Sequence, residues 1–439
     1  MPISAVRAGA KSSSWKSCKD MGAIIPARRP RRYTAALPMA QAPSPVSFTH
    51  WPRVAVLWFS GILAAMQFAK IAVAFVELQR HYAASAASMG WVLSTVGMVG
   101  LLLGVTMGLL APRIGYRRLL VGGLGLGALL AFAQSFLLPL PWFWGSRVLE
   151  GASHLAVVVA APTLMAASAA PQHRAIAMGL WSTFVGVAFA ITGAFGLPFI
   201  ASAGLAALFQ VHALALAVVA VAVLLLLPAD VRRQRGPHAG PSSLHAYALL
   251  RQHVHIYTRW TTALPGLCFL GYTGMAVALL TFLPQQGGAD RAWLAAALPL
   301  TGVAGTFCAG WIAQYWLSPL RLARWAFVAV GLSGLAWALG LWLGWWVAPV
   351  ALVLMFAAGL SGGGSFALIP YLNEEPAQQA RANGAVAQMG NLGATLGPPG
   401  FALAISVLGG VGLAVCVLMC ASFGLSLSLW GATQYRRAA

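Results

Sequence analysis

Four charged side chains lie within long apolar stretches of this chain, where a charge is costly unless it is paired or faces a cavity: Lys70, Glu77, Arg147 and Glu150. Arg147, Glu150 and His154 follow i, i+3 and i+7, so they share one face of a helix. Two cations near one carboxylate favour recognition of an anion, with Glu150 able to exchange a proton. The other interpretation is that these groups form closed ion pairs that hold helices together. His154 is either part of a proton relay or a hydrogen-bonded core histidine.

Twelve apolar stretches must position these side chains. Each has roughly the 20 residues that a helix needs to cross a bilayer. The chain is 60% hydrophobic and 8% charged, which excludes an ordinary soluble protein. The runs do not alternate as strands of a membrane barrel do. The sequence therefore predicts an all-α, polytopic membrane protein with 12 transmembrane helices over 54–77, 87–111, 119–138, 142–166, 175–199, 204–227, 261–284, 293–316, 326–343, 347–369, 383–408 and 411–431.

The Lys and Arg residues predict the orientation. If the N-terminus is cytoplasmic, every Lys and Arg falls on the cytoplasmic side except Lys70, Arg80, Arg147 and Arg291. Both termini are then cytoplasmic, and the expected location is a bacterial inner (plasma) membrane. The net charge of +20 is spread over short loops that would face anionic membrane lipids, so nucleic-acid binding is not expected.

The polar segments divide the chain. Residues 1–50 are basic and lack an apolar run, which predicts a disordered cytoplasmic tail. A transit peptide, or translation that starts at Met21 or Met39, would explain these residues equally well. The polar segment 229–258 is predicted to be a cytoplasmic linker between two six-helix bundles, 51–228 and 259–433.

The two bundles share a pattern of glycines. A shift of 208 residues places Gly151 on Gly359, and a shift of 202 places Gly108 on Gly310. A shift of 207 places three residues of the fifth span on three of the eleventh, namely Arg174, Gly186 and Gly193 on Arg381, Gly393 and Gly400. Corresponding helices are six spans apart, which is an even number, so both copies cross the membrane in the same direction. Such an arrangement is a parallel repeat.

Three motifs resemble those of the major facilitator superfamily. Residues Gly108-Leu-Leu-Ala-Pro-Arg113-Ile-Gly115-Tyr-Arg117-Arg118 are similar to its loop 2–3 signature, Gly-x-x-x-Asp-Arg-x-Gly-Arg-Arg. Arg147-Val-Leu-Glu150-Gly151 resembles its helix 4 motif, and the glycines 186–193 lie where its third motif lies. The resemblance implies two bundles facing a cleft. Pro112 occupies the acidic position of the signature, so the latch that this carboxylate helps form must be weaker or built from other groups.

A narrower resemblance is to the cyanate-permease-like branch of the superfamily. It is carried by Lys70, by Gly90-Trp91 at the start of the second span, and by the helix 4 motif followed by Ala161-Pro162. The resemblance implies secondary active transport of a small, anionic solute by alternating access, with proton coupling as a hypothesis. The alternative is a multidrug or metabolite efflux transporter.

The second half offers polar groups that could contact a solute: Tyr272, Gln388 and Asn391. Helix-to-helix contacts would explain them equally well. The glycines of the eleventh span, Gly393 and Gly400, suit a hinge or gate as well as tight packing. The sequence contains no ATP-binding loop and no His-Glu-x-x-His metal motif, so neither an enzyme nor any cofactor or metal is expected. A sensor built on a transporter scaffold is the third class considered, and one chain suffices for a monomer.

Overall fold

The described part of the chain consists almost entirely of helices, most of them long enough to span a membrane. A computed structural model describes residues 48–230 and 257–438, and in these ranges it contains helices and turns but no strand. Most of the predicted tail and most of the predicted linker lie outside the described residues. Among the described residues, eleven helices are long and apolar enough to cross a membrane, and one of these contains two spans.

The membrane-spanning helices are numbered here in chain order. They are α1 (Trp51–Val73), α2 (Ala86–Ile114), α3 (Tyr116–Gln134), α4 (Leu140–Ser168), α5 (184–203), α6 (205–226), α7 (Trp260–Gln286), α8 (Arg291–Tyr315), α9 (Pro319–Leu343), α10 (Ala348–Leu372), α11 (Pro376–Leu408) and α12 (Gly410–Ala438). A short helix, Arg174–Ser182, leads into α5.

Helices α5 and α6 follow one another directly, and the chain reverses direction between them at Gly204. Its backbone has φ 84° and ψ 170°, a conformation that suits glycine and not other residues. The helix Phe184–Leu226 has 43 residues, or about 64 Å of length, which is twice the thickness of a bilayer core. Two contacts of α1 agree with this reversal. Arg53 Nε donates to Leu226 O, at the end of α6, at 2.9 Å, and Trp58 Nε1 donates to Thr183 Oγ1, just before α5, at 3.2 Å. The start of α5 and the end of α6 therefore lie at the same end of the molecule.

The ends of several helices differ from the predicted spans. The first was expected to continue to Glu77, but α1 stops at Val73, and a separate short helix, Phe75–Tyr82, follows the break at Ala74. Glu77 is therefore not inside a spanning helix. Helices α9 and α11 each begin seven residues earlier than predicted, with Pro319 and Pro376 in their first turns, where proline is well tolerated. Hydropathy marks the apolar part of a helix, and these polar first turns extend beyond it.

The molecule has two distinct ends. One end carries residues 48–50, the α2–α3 turn and the end of α12, and it is called the terminal end here because the first and last described residues lie there. The opposite end carries the α1–α2 and α7–α8 connections. At the opposite end α2 lies tightly on α11, where a Cβ atom on Gly90 would lie 2.8 Å from Pro399 Cα. Further along α2 towards the terminal end, no described atom from outside the neighbouring turns of α2 lies within 4 Å of a Cβ placed on Gly104 or Gly108.

Helices α5 and α8 repeat this arrangement. Gly193 lies against the backbone of Ala295 near the opposite end, and Gly186 lies against Val303 about two turns further on. At the terminal end, Gly179 and Gly310 face open space. The two halves therefore contact each other at the opposite end and separate towards the terminal end.

Candidate functional site

The charged cluster consists of Lys70 on α1, Gln134 on α3, and Arg147 and Glu150 on α4. Lys70 Nζ lies 2.7 Å from Glu150 Oε1 and donates to Gln134 Oε1 at 2.8 Å. Arg147 Nη1 pairs with Glu150 Oε2, to which Gln134 Nε2 also donates at 2.7 Å. Lys70 is 2% exposed, and Gln134, Arg147 and Glu150 are fully buried. Lys70 of α1 and Glu150 of α4 are therefore in direct contact.

Neighbouring groups hold the charged cluster in place. Gln134 Nε2 donates a second bond to Ser146 Oγ at 3.0 Å, and Arg147 Nε donates to the Val92 carbonyl of α2 at 3.2 Å. The ammonium of Lys70 lies 5.0 Å from the centre of the Phe209 ring, a cation–π distance. Within the described residues, Arg147 Nη2 is buried without a hydrogen-bond partner. The cluster ties four helices together and still leaves one donor group unused.

The charge balance of this cluster defines what it can do. Lys70 and Arg147 contribute two positive charges and Glu150 one negative charge, so the cluster carries a net charge of about +1 in a buried setting when all three are ionised. Buried charges of one sign attract the opposite sign strongly because little water screens them. An anion, or a proton on Glu150, would each alter this balance. The arrangement is suited to anion recognition and proton exchange as well as to holding helices together.

His154 lies one turn from Glu150 on α4 but bonds elsewhere. Its Nδ1 is 2.9 Å from the Ala64 carbonyl of α1, and because a carbonyl only accepts, this nitrogen carries the proton. The Phe68 ring meets the imidazole edge-on at a centroid distance of 5.2 Å. Among the described contacts, none joins the imidazole to Glu150. His154 therefore links α4 to α1, and a relay role stays a prediction.

The polar residues of the second half lie at separate places. The Tyr272 ring lies against Gly362, whose Cβ would be 2.9 Å from the ring. Gln388 Oε1 accepts from Tyr257 Oη at 3.0 Å near the terminal end. Asn391 donates to the carbonyl of its own helix four residues earlier, and its side chain fills the space against Gly100 of α2. The structure does not bring these three residues to the charged cluster.

The α2–α3 turn shows how the loop signature is completed. Gly115, with φ 98°, is the single residue between Ile114, where α2 ends, and Tyr116, where α3 begins. Arg113 lies in the last turn of α2. Both carboxylate oxygens of Asp230 accept from the first turn of α3, from Arg117 N at 3.0 Å and Arg118 N at 2.9 Å. Arg117 Nη2 in turn donates to Leu224 O at 2.6 Å.

Asp230 was missed from the sequence. It stands just after α6 and supplies a carboxylate where the α2–α3 turn itself has Pro112, so it serves as an N-terminal cap that comes from elsewhere in the chain. Its only signal was its position, since it is the first acidic residue after the sixth span. Gly108, by contrast, faces open space.

A contact that the sequence did not reveal lies at the opposite end. Glu77, on the short helix after α1, pairs with Arg291 at the start of α8, with Nη2 3.2 Å from Oε1. Beside them the rings of Phe75 and Phe282 meet edge-on at 5.1 Å. These contacts join the two halves where they are closest.

The motif glycines serve close packing at three of four positions. Gly186 and Gly193 lie against α8, and Gly393 lies against Thr273 and Gly274 of α7. Gly400 faces open space.

Known proteins resemble this chain in fold. A crystal structure of a bacterial homolog of the human lysosomal transporter Spinster, in an inward-facing and occupied conformation, matches with a TM-score of 0.64, 15% identity, and coverage of 87% of this chain and 96% of that one. The inward-facing, unoccupied structure matches with a TM-score of 0.62 and 16% identity over 86% of this chain and 97% of that one. No curated protein sequence matches.

The sequence itself identifies the family. Residues 57–398 match the model of the Major Facilitator Superfamily. The match covers most of α1 to α11, and the helical fold agrees with it. The chain therefore belongs to the Major Facilitator Superfamily and is a secondary transporter of a small-molecule solute.

Proposed function

We propose that the protein transports a small anion by alternating access, and that the charged cluster recognises it. The observation that carries this proposal is the unpartnered Nη2 group of Arg147 within a buried cluster of net charge about +1. An unused buried donor is costly, and an anion would satisfy it. The same net charge opposes cationic drugs, which makes efflux of such compounds the weaker candidate.

Proton coupling would act through Glu150, whose carboxylate is held ionised by Lys70 and Arg147 while both ion pairs are closed. An anion that draws either cation away would leave this carboxylate free to take up a proton. Protonation of its carboxylate would release Lys70 and Arg147 from their partner and raise the net charge of the cluster. Both changes favour an incoming anion, so proton and anion would bind together and move in the same direction, as in a symporter. His154 would be a secondary proton site one turn away.

The open and closed ends fit the proposed orientation. If both termini are cytoplasmic in a bacterial inner membrane, the separation at the terminal end describes an inward-facing state, and Glu77–Arg291 closes the outer side. The domain limits proposed above, 51–228 and 259–433, then correspond to the two moving bodies of a functional monomer. Placement in the cyanate-permease-like branch rests on the motif residues alone.

The deciding experiment measures uptake of small labelled anions into proteoliposomes, with and without a pH gradient, by the native protein and by the Lys70→Met variant. This variant leaves Arg147 and Glu150 as a neutral pair, so it changes the charge of the cluster while retaining one buried ion pair. We expect anion uptake to fall at least tenfold in Lys70→Met and to be largely retained in Lys70→Arg. Arg174→Gln, at an exposed site of the terminal end, is the control.

Coupling is tested in the same vesicles with Glu150→Gln, assayed at a temperature where that variant remains folded. An amide mimics the protonated carboxylate, so exchange of the anion should persist while drive by the pH gradient is lost. Normal anion uptake by a folded Lys70→Met would show that the cluster is only structural and would overturn the proposal.

A further inference from the structure

A crevice of about 520 Å³ lies between α1, α5 and α6. Ile191, Phe195 and Ser202 line it from one face of α5, whereas Gly186 and Gly193 contact α8 from another face of the same helix. A position two residues from Gly193 on a helix points nearly the opposite way. The crevice is therefore separate from the contact between the two halves.

The mouth of the crevice opens to the membrane. Phe195 is 70% exposed and Val211 is 54% exposed, and apolar side chains at this depth of a spanning helix face lipid. Leu63 and Met66 of α1 and Leu208 of α6 form apolar walls. A molecule would enter this crevice from the bilayer and would need an apolar body. Its volume lies within the usual range of small-molecule sites.

The polar groups of the crevice leave one acceptor unused. The hydroxyls of Thr192 and Ser202 donate to carbonyls of their own helix, four and three residues earlier. The Lys70 ammonium is engaged by the charged cluster. His212 Nε2 is 3.0 Å from the Leu63 carbonyl and so carries the proton, while its Nδ1 has no hydrogen-bond partner in the described part of the chain. The His212 side chain is only 6% exposed.

We propose that this crevice binds a membrane-borne amphiphile, an apolar chain ended by a hydroxyl group that donates a hydrogen bond to His212 Nδ1. In the neutral imidazole this nitrogen is an acceptor, so it pairs with a hydroxyl and repels a carboxylate. A cationic head is disfavoured by Lys70, which lines the same crevice. The apolar walls of the crevice would hold the apolar chain of the ligand, and His212 Nδ1 would select a hydroxyl as its head group.

The test uses the full-length protein in lipid nanodiscs and a long-chain alcohol that carries a photoreactive diazirine in its chain. We expect crosslinks within residues 191–215 of α5 and α6. Unlabelled alcohol should compete about five- to tenfold better than the methyl ether of the same chain, which lacks the donor. His212→Phe should abolish this preference, and His81→Phe, at an exposed site outside the crevice, should not.

A second variant covers failure of His212→Phe to fold. Val211→Trp keeps the imidazole and narrows the mouth, so it should reduce labelling by the alcohol. Equal competition by alcohol and ether would show a crevice that takes any acyl chain and would overturn the proposal. So would crosslinks elsewhere, or a preference that survives His212→Phe. Anion uptake in proteoliposomes is a separate readout, so failure here leaves the proposed transport function to its own test.

Discussion

The two halves of this transporter solve the same packing problem with different chemistry. In the first half Gly151 of α4 lies against Val96 and Val99 of α2, and in the second half its repeat partner Gly359 of α10 lies against Gly302 of α8. One turn before these glycines the halves diverge, since Arg147 corresponds to Met355. The first half adds buried charge to a packing geometry that both halves share, and the second half has the apolar Met355 in that place.

The contrast extends to the neighbouring turn. The Phe68 ring of α1 meets His154, and the Tyr272 ring of α7 meets Gly362 at the matching place in the repeat. An aromatic ring therefore occupies both sites, with a titratable partner in one half and a glycine in the other. The comparison teaches that the repeat preserves shape, and that ionic chemistry is concentrated in one copy.

The largest effect should come from removing the charge that the first half adds. Glu150→Gln leaves Lys70 and Arg147 buried without a counter-ion, and we expect a loss of about 3–5 kcal/mol of folding free energy. Lys70→Met should cost less, because Arg147 and Glu150 remain paired. Thermal unfolding of purified protein in detergent measures both. Glu375→Gln, an exposed acid, is the control, and equal losses for the two cluster variants would contradict the expectation.

Replacing the packing glycine that the two halves share by alanine should cost more folding free energy in the second half than in the first. A Cβ on Gly359 would meet the backbone of Gly302, which cannot rotate away, whereas a Cβ on Gly151 would meet mainly the Val99 side chain. We expect Gly359→Ala to cost about 1–3 kcal/mol and Gly151→Ala less. Gly310→Ala, which faces open space, should be neutral or slightly stabilising. Thermal unfolding decides, and a greater loss in Gly151→Ala would reverse the ranking.

The cap from Asp230 distinguishes the α2–α3 turn of the first half from the corresponding α8–α9 turn of the second half. The first turn of α3 donates to both carboxylate oxygens of Asp230, while the N-cap residue of α9, Ser318, makes no side-chain cap bond in the described structure. Asp230→Ala should therefore destabilise the start of α3 by about 1 kcal/mol. Hydrogen exchange of the Arg117 and Arg118 amides should accelerate, with exchange at the start of α9 unchanged. Unchanged exchange at Arg117 and Arg118 would show that the cap contributes nothing.

The smallest effect should come from the pair that joins the halves. Glu77 and Arg291 are partly exposed, so their ion pair contributes about 1 kcal/mol or less. Glu77→Gln should shift the balance between closed and open states at the opposite end by up to about fivefold. Labelling of a cysteine placed at Phe282 reports the opening. Arg80→Gln, an exposed cation on the same short helix, should leave the labelling unchanged.

Local patterns predicted most of this structure. Hydropathy reports the thickness of a bilayer, so it located the spans, and the i, i+3 spacing of Arg147 and Glu150 located the centre of the charged cluster. The pattern did not reveal Gln134, which is neutral and 64 residues from its partner Lys70. Nor did it reveal Asp230, which lies 113 residues from Arg117. Such partners are set by how helices pack, and a single sequence records no distance between them.

The place of Lys70 on α1 also bears on how the protein enters the membrane. Lys70 lies three residues before the end of α1 at Val73, about 5 Å along the helix. When α1 inserts before α4 has been made, the flexible side chain can extend to the headgroups and keep its ammonium hydrated. Arg147 and Glu150 arrive later as an i, i+3 pair that already compensates its own charge. Once α4 is in place, the ammonium would leave the headgroups for Glu150, so that formation of this ion pair would move a side chain from the membrane surface into the first half.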